Sequence, residues 1–328
     1  MKPEFLKYFT PGSLTFFNRE TILNSSGEFP LMLNVEPTND CNLNCVMCSR
    51  NLASRPVNYL PFSIFERLMN QAAEHGGVKW LALHKDGESL LHPQFGQMAK
   101  LAKSSGGAEF VHFNTNVTLL DEKAAQAIIE AQVDSLTLSI DANSPEVFQQ
   151  VKRGGDFETV VRQAEGLMDL KTRSGSDKPW VRAKIIDMPA TSGQIDAFKR
   201  RWIGLTDEVQ VQGLHSYART PQEISPAERY PCSLLWYSLA INSDSTVSTC
   251  CVDYRCQDIL GSLEGQSLDQ IYKGPKLAHY RESMLAGRYH ELVSCAHCDC
   301  WRAGEDLRIN QGPGWNATPK PADLGAMA

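Results

Sequence analysis

The stretch Asp40-Cys41-Asn-Leu-Asn-Cys45-Val-Met-Cys48 decides how this sequence is interpreted, because it directly follows a strand-like apolar run at residues 31–37. Three cysteines in the spacing C-x3-C-x2-C suit three corners of a [4Fe–4S] cube and leave the fourth iron without a protein ligand. Such an open position can bind and reduce a substrate, whereas a fully ligated cluster only stores or passes electrons. A zinc site with a fourth ligand from elsewhere in the chain is the alternative.

Apolar runs alternate with amphipathic segments between residues 31 and 214. Runs rich in Val, Ile, Leu, Phe and Thr predict strands at residues 31–37, 78–84, 109–114, 135–141, 181–187 and 208–214. Apolar residues at helical spacing predict helices at residues 63–74, 93–103, 122–131, 157–170 and 195–203. This repetition predicts a parallel sheet with right-handed crossovers. Because six units are fewer than the eight of a closed barrel, the predicted fold class is α/β, a partial (β/α)6 barrel with a small C-terminal cysteine-rich auxiliary-cluster domain.

The composition excludes several classes of protein. The 328-residue chain has 32 basic and 38 acidic residues, a net charge of −6, so we expect no nucleic-acid partner. Its N-terminus lacks the apolar core of a secretory signal, and no apolar run could span a bilayer. We therefore expect a cytoplasmic protein with no membrane partner. Thiols stay reduced there, so the ten cysteines indicate metal binding or catalysis rather than disulfides.

Changes in character along the chain predict four parts: an N-terminal extension at 1–30, the barrel at 31–220, the cysteine-rich domain at 221–305, and a flexible tail at 306–328. The third part holds seven of the ten cysteines. Among them, Cys232, Cys250, Cys295 and Cys298 supply four thiolates, which is enough to close every corner of a second [4Fe–4S] cluster. Zinc is again the alternative.

Polar motifs follow the predicted strands at their C-terminal ends, where such sheets place active sites. Gly87-Glu88 ends the second strand, Asn114-Thr115-Asn116 ends the third, and Ser139 with Asp141 ends the fourth. Together with the cysteine motif, these fragments resemble the radical S-adenosylmethionine (SAM) superfamily over residues 31–214. The resemblance implies that SAM is the cofactor. It also implies that a 5′-deoxyadenosyl radical takes hydrogen from a C–H bond, with the electron coming from an external flavodoxin- or ferredoxin-type reductant.

The resemblance gives each motif an expected role. Cys41, Cys45 and Cys48 would hold the SAM-binding cluster, and Gly87-Glu88 resembles the motif that binds the methionine amino group, for which a carboxylate is suited. Lys85 and Asp86 depart from the commonest pattern at that motif. The other residues expected to contact SAM are Met47, Asn114, Thr115, Asn116, Ser139, Asp141 and Lys184.

The second cysteine group resembles the auxiliary-cluster extension called a twitch domain, a shortened SPASM domain, in aminoglycoside-pathway dehydrogenases and epimerases. This implies a second [4Fe–4S] cluster on Cys232, Cys250, Cys295 and Cys298. Cys251 adjoins a presumed ligand and is the candidate hydrogen-atom donor, because an S–H bond is weaker than most C–H bonds. Its alternative role is that of a buried small apolar residue. Cys256 and Cys300 are weaker donor candidates. Either would be a ligand of the auxiliary cluster if the assignment of the four ligands is off by one cysteine.

Four functions follow from these interpretations. The first is epimerisation of a carbon in a polar, aminosugar-like small molecule, with Cys251 as hydrogen donor and His84 as a candidate substrate contact. The second is dehydrogenation of an alcohol carbon, with the auxiliary cluster as electron acceptor. The third is modification of a ribosomal peptide, which we disfavour because thirty residues before the first strand are too few for a leader-binding module. The fourth is a non-enzymatic zinc or electron-carrier protein.

Overall fold

The computed structural model describes residues 28–214, 231–296 and 298. Most of the predicted N-terminal extension, the predicted flexible tail and Cys300 lie outside these residues. The strands are β1 (Met32–Val35), β2 (Asn44–Cys45), β3 (Val78–Ala82), β4 (Ala108–Thr115), β5 (Ser135–Ser139), β6 (Lys152–Arg153), β7 (Trp180–Asp187), β8 (Glu208–Gly213), β9 (Ser238–Ile241), β10 (Thr246–Ser248) and β11 (Ile259–Ser262). The helices are α1 (Phe62–Glu74), α2 (Phe95–Ser104), α3 (Glu122–Glu130), α4 (Pro145–Val151), α5 (Phe157–Ser174), α6 (Ile195–Trp202), α7 (Leu234–Tyr237), α8 (Leu268–Tyr272) and α9 (Pro275–Leu285).

One sheet runs through the whole described structure, in the order β11-β10-β9-β1-β3-β4-β5-β7-β8. The six strands from β1 to β8 in this order are parallel neighbours. The predicted α/β partial barrel is therefore confirmed, and all six predicted strands are present. Helices between successive strands cover the outer face, as parallel sheets require.

The C-terminal segment extends this sheet instead of standing apart from it. Strand β9 pairs parallel with β1, with Leu239 opposite Leu33, and β10 and β11 continue the sheet antiparallel. The sequence did not predict this extension, because pairing between strands about two hundred residues apart leaves no local pattern. It brings the second cysteine group to the edge of the barrel.

Local sequence signals explain where the helices form. On α1 the apolar residues Phe65, Leu68, Met69 and Ala72 are buried against the sheet, at helical spacing. Capping defines α5, since the Asp156 carboxylate accepts from the Thr159 N–H. The sequence missed α4, whose seven residues are too few to show a period. No helix of the described residues combines the length and apolar character needed to cross a membrane.

Candidate active site

A cavity of about 340 Å³ lies at the C-terminal ends of the barrel strands. Side chains from the ends of β1, β3, β4, β5, β7 and β8 line it, together with the cysteine loop and the C-terminal segment. It brings together all the residues predicted to bind SAM and its cluster, and the candidate hydrogen donor: Cys41, Cys45, Met47, Cys48, Gly87, Glu88, Asn114, Thr115, Asn116, Ser139, Asp141, Lys184 and Cys251.

Backbone contacts hold the start of the cysteine loop against the Gly-Glu motif. The N–H of Glu88 donates to the Asp40 carbonyl over 2.7 Å, and the Asp40 carboxylate accepts from the Cys41 N–H at 2.9 Å. Gly87 has a φ of +81°, and a Cβ there would come within 2.3 Å of the Thr38 carbonyl oxygen. Because only glycine tolerates this backbone and this approach, the two motifs form one structural unit.

A short strand pair holds the far end of the cysteine loop. Strand β2 pairs antiparallel with β6, so that Cys45 lies opposite Lys152. The Val46 N–H donates to the Val151 carbonyl over 3.0 Å, and the Cys48 N–H donates to the Cys45 carbonyl over 3.1 Å. The sequence missed this pair because each strand has only two residues.

The three thiols of the loop are half-buried and line the cavity together. Burial raises the pKa of Cys41, Cys45 and Cys48. The pKa of Cys45 is raised to about 11, although the positive charge of Lys152 acts to lower it. Bound metal supplies the positive charge that such thiols need to ionise. An iron–sulfur cube takes each of three thiolates at a different iron, so the donor set fits that group.

Glu88 is a carboxylate in the cavity wall, 2% exposed. It accepts from the Thr115 hydroxyl at 2.8 Å and from the Asn116 N–H at 2.6 Å. Burial raises the pKa of Glu88, and these hydrogen bonds oppose the rise. The ammonium of Lys152 also lowers this pKa but forms its ion pair with Asp141. A carboxylate held in this way fits the ammonium group of an amino acid.

The polar residues at the end of β4 contact two different neighbours, the cysteine loop and the sheet. The Asn116 Nδ2 donates to Asn42 Oδ1 at 2.9 Å and lies 3.9 Å from Cys41 Sγ, within reach of an N–H···S hydrogen bond. Asn114 Oδ1 lies 2.9 Å from His112 Nε2. Asn116 is therefore placed to hold Cys41, and Asn114 is anchored in the cavity wall.

Two lysines lie near the C-terminal ends of β5 and β7; Lys152 is buried and Lys184 is half-buried. Lys152 is 3% exposed; its ammonium lies 3.0 Å from the Asp141 carboxylate and donates to the Ser139 carbonyl. Lys184 lines the same cavity, and burial lowers its pKa. Sequence reasoning missed Lys152, because it follows the unpredicted helix α4 and a lone lysine carries no motif.

Cys251 lines the cavity, whereas the four predicted auxiliary ligands are not among its lining residues. A hydrogen bond between Cys250 and Cys251 raises the pKa of Cys250 and lowers that of Cys251. The nearby charges of Cys232 and Cys298 add to the rise in the pKa of Cys250. Cys298 is joined to Cys295 by a turn, through an N–H···O bond of 3.1 Å. The structure thus gathers the second cysteine group directly beside the cavity.

Lys85 joins the two cysteine regions. Its side chain is 1% exposed, and its ammonium donates to Asn242 Oδ1 and to the Asp253 carbonyl, each at 3.0 Å. Cys256 Sγ lies 3.5 Å from the same nitrogen and is not among the residues that line the cavity. Cys251 is therefore better placed than Cys256 to meet a substrate.

No three His, Cys, Asp or Glu side chains within the described residues converge closely enough to hold a single metal ion. The ligands of a cube need not converge on one point, because each binds its own iron. None of the nine cysteines in the described ranges forms a disulfide.

Two family models match the chain. The Radical SAM superfamily matches residues 35–176, and SPASM, an iron–sulfur cluster-binding domain, matches residues 232–299. These two matches confirm the predicted cofactors, SAM and two [4Fe–4S] clusters.

Among characterised relatives, GTP 3′,8-cyclase of Chlorobaculum tepidum is 31% identical over 131 residues, which is 40% of this chain and 39% of the cyclase. The match thus covers well under half of that enzyme.

Two solved structures share the fold at low identity. BtrN in complex with AdoMet and 2-DOIA is 16% identical, with a TM-score of 0.57, over 83% of this chain and 93% of BtrN. Streptococcus suis SuiB bound to the precursor peptide SuiA is 16% identical, with a TM-score of 0.62, over 77% of this chain and 67% of SuiB.

Proposed function

We propose that this radical SAM enzyme with a SPASM-type iron–sulfur domain epimerises a carbon atom of a polar, aminosugar-like small molecule, with Cys251 as the hydrogen-atom donor. The single observation that carries the proposal is the position of Cys251. It is the one thiol outside the SAM-cluster triad that lines the cavity in the described part of the chain. Cys251 therefore borders the space in which SAM and the substrate would bind.

The proposal assigns the remaining residues as follows. Residues 31–220 form the catalytic barrel and residues 221–305 the auxiliary-cluster domain. Cys41, Cys45 and Cys48 hold the SAM-binding cluster, and Cys232, Cys250, Cys295 and Cys298 hold the auxiliary cluster. The proposed cofactor contacts are Met47, Gly87, Glu88, Asn114, Thr115, Asn116, Ser139, Asp141 and Lys184, and we add Lys152, which lines the same cavity.

When bound, SAM and its cluster supply a carbon radical that removes a hydrogen atom from an unactivated C–H bond. The chain's own residues orient and protect this chemistry. Glu88 attracts the methionine ammonium by its charge. Three hydrogen bonds from neighbouring groups hold the Glu88 carboxylate in position. The apolar side chains of Met47 and Ile186 in the cavity wall help to keep water from quenching the radical.

Cys251 completes the reaction from the side of the C-terminal segment. The S–H bond of Cys251 breaks and a new C–H bond forms on the opposite face of the substrate carbon. One electron from an external flavodoxin- or ferredoxin-type reductant and one proton then return the sulfur to the thiol. A radical carbon accepts hydrogen from either face, so the position of the donor sets the stereochemistry.

We favour a small molecule over a long peptide as the substrate. The cavity is about 340 Å³, and Cys251 and Val252 of the C-terminal segment form part of its wall. The two structural neighbours provide an example of each substrate class, since BtrN was solved with 2-DOIA and SuiB with a precursor peptide. A precursor peptide is therefore the partner to test against small molecules.

Dehydrogenation is the second candidate, and one observation favours it. The hydrogen bond between Cys250 and Cys251 places a proposed auxiliary-cluster ligand next to the cavity. An electron leaving a substrate radical would have a short path to that cluster, and the product would be a ketone rather than an epimer.

The test is an anaerobic assay of the iron- and sulfide-reconstituted chain in deuterated buffer, with SAM, reductant and a panel of aminosugars and cyclitols. Epimerisation predicts one solvent deuterium on the product carbon. Cys251→Ala should still cleave SAM but give no epimer, and the matched control Cys256→Ala should behave as wild type. An oxidised product unaffected by Cys251→Ala would support dehydrogenation and refute the epimerase.

A further inference from the structure

Two buried polar atoms in the cavity wall have no hydrogen-bond partner within the described residues. They are His84 Nδ1 and Asp86 Oδ2, and both residues line the cavity just after β3. None of the other orphaned atoms in the described ranges belongs to a residue of this cavity. Asp86 Oδ2 has ion-pair contacts but no hydrogen bond, whereas His84 Nδ1 has neither. Because buried polar atoms are nearly always paired in native proteins, we take these two residues of one wall as the place where polar groups of a ligand bind.

His84 offers a hydrogen bond without a charge. Burial, helped by the charge of Lys184, lowers the pKa of His84 to about 3. The ring meets His112 edge-on, with centroids 5.2 Å apart. A neutral imidazole has one donor and one acceptor nitrogen, so His84 can pair with a group that both donates and accepts.

Asp86 belongs to a group of charges that is already balanced. Its Oδ2 lies 3.4 Å from Lys85 Nζ and 3.5 Å from Arg55 Nη1. Arg55 is also held in a bidentate pair by Glu36, at 2.7 and 3.0 Å. Two cations therefore face two carboxylates in a region from which water is largely excluded.

This balance selects among ligand groups. An ammonium beside Asp86 would leave an excess positive charge, and a carboxylate would leave an excess negative one; either uncompensated charge is costly when buried. A hydroxyl group adds no charge, donates to Asp86 and can pair with the neutral ring of His84.

We propose that His84 and Asp86 form a recognition site for hydroxyl groups, which holds the neutral polyol face of a sugar or cyclitol substrate against the β3 side of the cavity. This rests on the proposed function for the substrate class and deepens it. Any amino group of the substrate then lies away from this wall.

The surroundings of Asp86 leave room for such a ring. The same residue lines a second cavity of about 190 Å³, whose wall includes Asn39, Arg50 and Tyr254. Among the described residues, Asp86 alone borders both cavities. Ring substituents next to the recognised hydroxyl can therefore project past the carboxylate.

The experiment uses saturation-transfer difference NMR on the anaerobically reconstituted, SAM-loaded full chain. Three probes of one ring size differ in charge: methyl α-D-glucopyranoside is neutral, D-glucosamine is cationic and D-glucuronate is anionic. The wild type should give the strongest transfer to the neutral probe. His84→Phe should weaken transfer to that probe about fivefold, as expected for one lost hydrogen-bond partner.

Asp86→Asn provides a readout that a purely structural role would not change. It keeps the side-chain volume but removes one negative charge beside Lys85 and Arg55, so the preference should move from the neutral probe toward glucuronate by about fivefold or more. The matched control is Asp134→Asn. Asp134 is also buried between two lysines, Lys103 and Lys178, but does not line the cavity, so its variant should keep the wild-type preference.

Several outcomes would overturn the proposal: no transfer to any probe in the wild type, a wild-type preference for glucosamine or glucuronate, or an unchanged preference in Asp86→Asn. Its failure is distinguishable from failure of the proposed reaction. A chain that cleaves SAM and incorporates deuterium but shows no such selectivity refutes only the recognition site. Selectivity without SAM cleavage refutes only the reaction.

Discussion

Replacing Gly87 by alanine should weaken SAM binding in a chain that still folds. A Cβ at this position would lie 2.3 Å from the Thr38 carbonyl oxygen and 2.6 Å from that of Asp40, whereas ordinary contacts begin at 3.4 Å. The backbone must therefore move by about 1 Å, away from the loop that carries Cys41. The φ of +81° adds about 1–2 kcal/mol of strain for any residue with a Cβ.

The size of the effect on binding follows from the contacts that this movement breaks. The 2.7 Å hydrogen bond from the Glu88 N–H to Asp40 is lost, and the Glu88 carboxylate shifts away from the methionine ammonium. Loss of one charge-assisted hydrogen bond costs about 2–3 kcal/mol. Affinity for SAM should therefore fall about 30- to 150-fold.

The assay is calorimetric titration of SAM into the anaerobically reconstituted chain, with iron content and melting temperature measured alongside. Gly76→Ala is the matched control, because Gly76 has a φ of +83° and no atom within 4 Å of the added Cβ. Its melting temperature should fall only by the strain of the positive φ, and it should bind SAM as wild type. Wild-type SAM affinity in Gly87→Ala, or an equal loss of affinity in Gly76→Ala, would refute the argument.

Two further predictions concern charged groups of the cavity. Glu88→Gln should lower SAM affinity about 10- to 100-fold, because glutamine keeps an acceptor oxygen but not the charge; unchanged affinity in the same titration would show that Glu88 does not bind the ammonium. As the pH is lowered from 7.5 to 5, the free energy of unfolding of the wild type should fall by about 2 kcal/mol relative to that of His84→Phe. The unfolded chain takes up the His84 proton below its ordinary pKa of 6.5, while the folded chain resists it down to about 3, so stability is lost as the pH falls. Melting temperatures of both proteins across this range test it, and a constant difference would contradict it.

The features that the sequence predicted are those with a strong local signal. An apolar stretch in β4 and alternating apolar and polar residues in β7 are strand signals, so both strands were found within one residue of their observed starts. Cys41, Cys45 and Cys48 were found because ligands of one cluster need a fixed spacing. The end-of-strand position then brought distant polar residues such as Glu88 into one site.

The features that it missed arise from tertiary contacts. The pair β2–β6 has two residues in each strand, so it has no period to detect. Lys152 acquires its place beside Cys45 only through that pairing. The pairing of β9 with β1 is likewise invisible locally, although it decides which residues of the C-terminal segment face the cavity.

Lys85 shows what the departure from the usual Gly-Glu motif achieves. It lies three residues before Glu88. Its ammonium group donates a hydrogen bond to Asn242, which lies 157 residues further along the chain. A second partner, Asp253, lies on the loop that follows Cys251. Separating the two segments would leave a buried ammonium without its hydrogen bonds, at a cost of several kcal/mol. One lysine therefore joins the loop that carries Glu88 to the segment that carries Cys251.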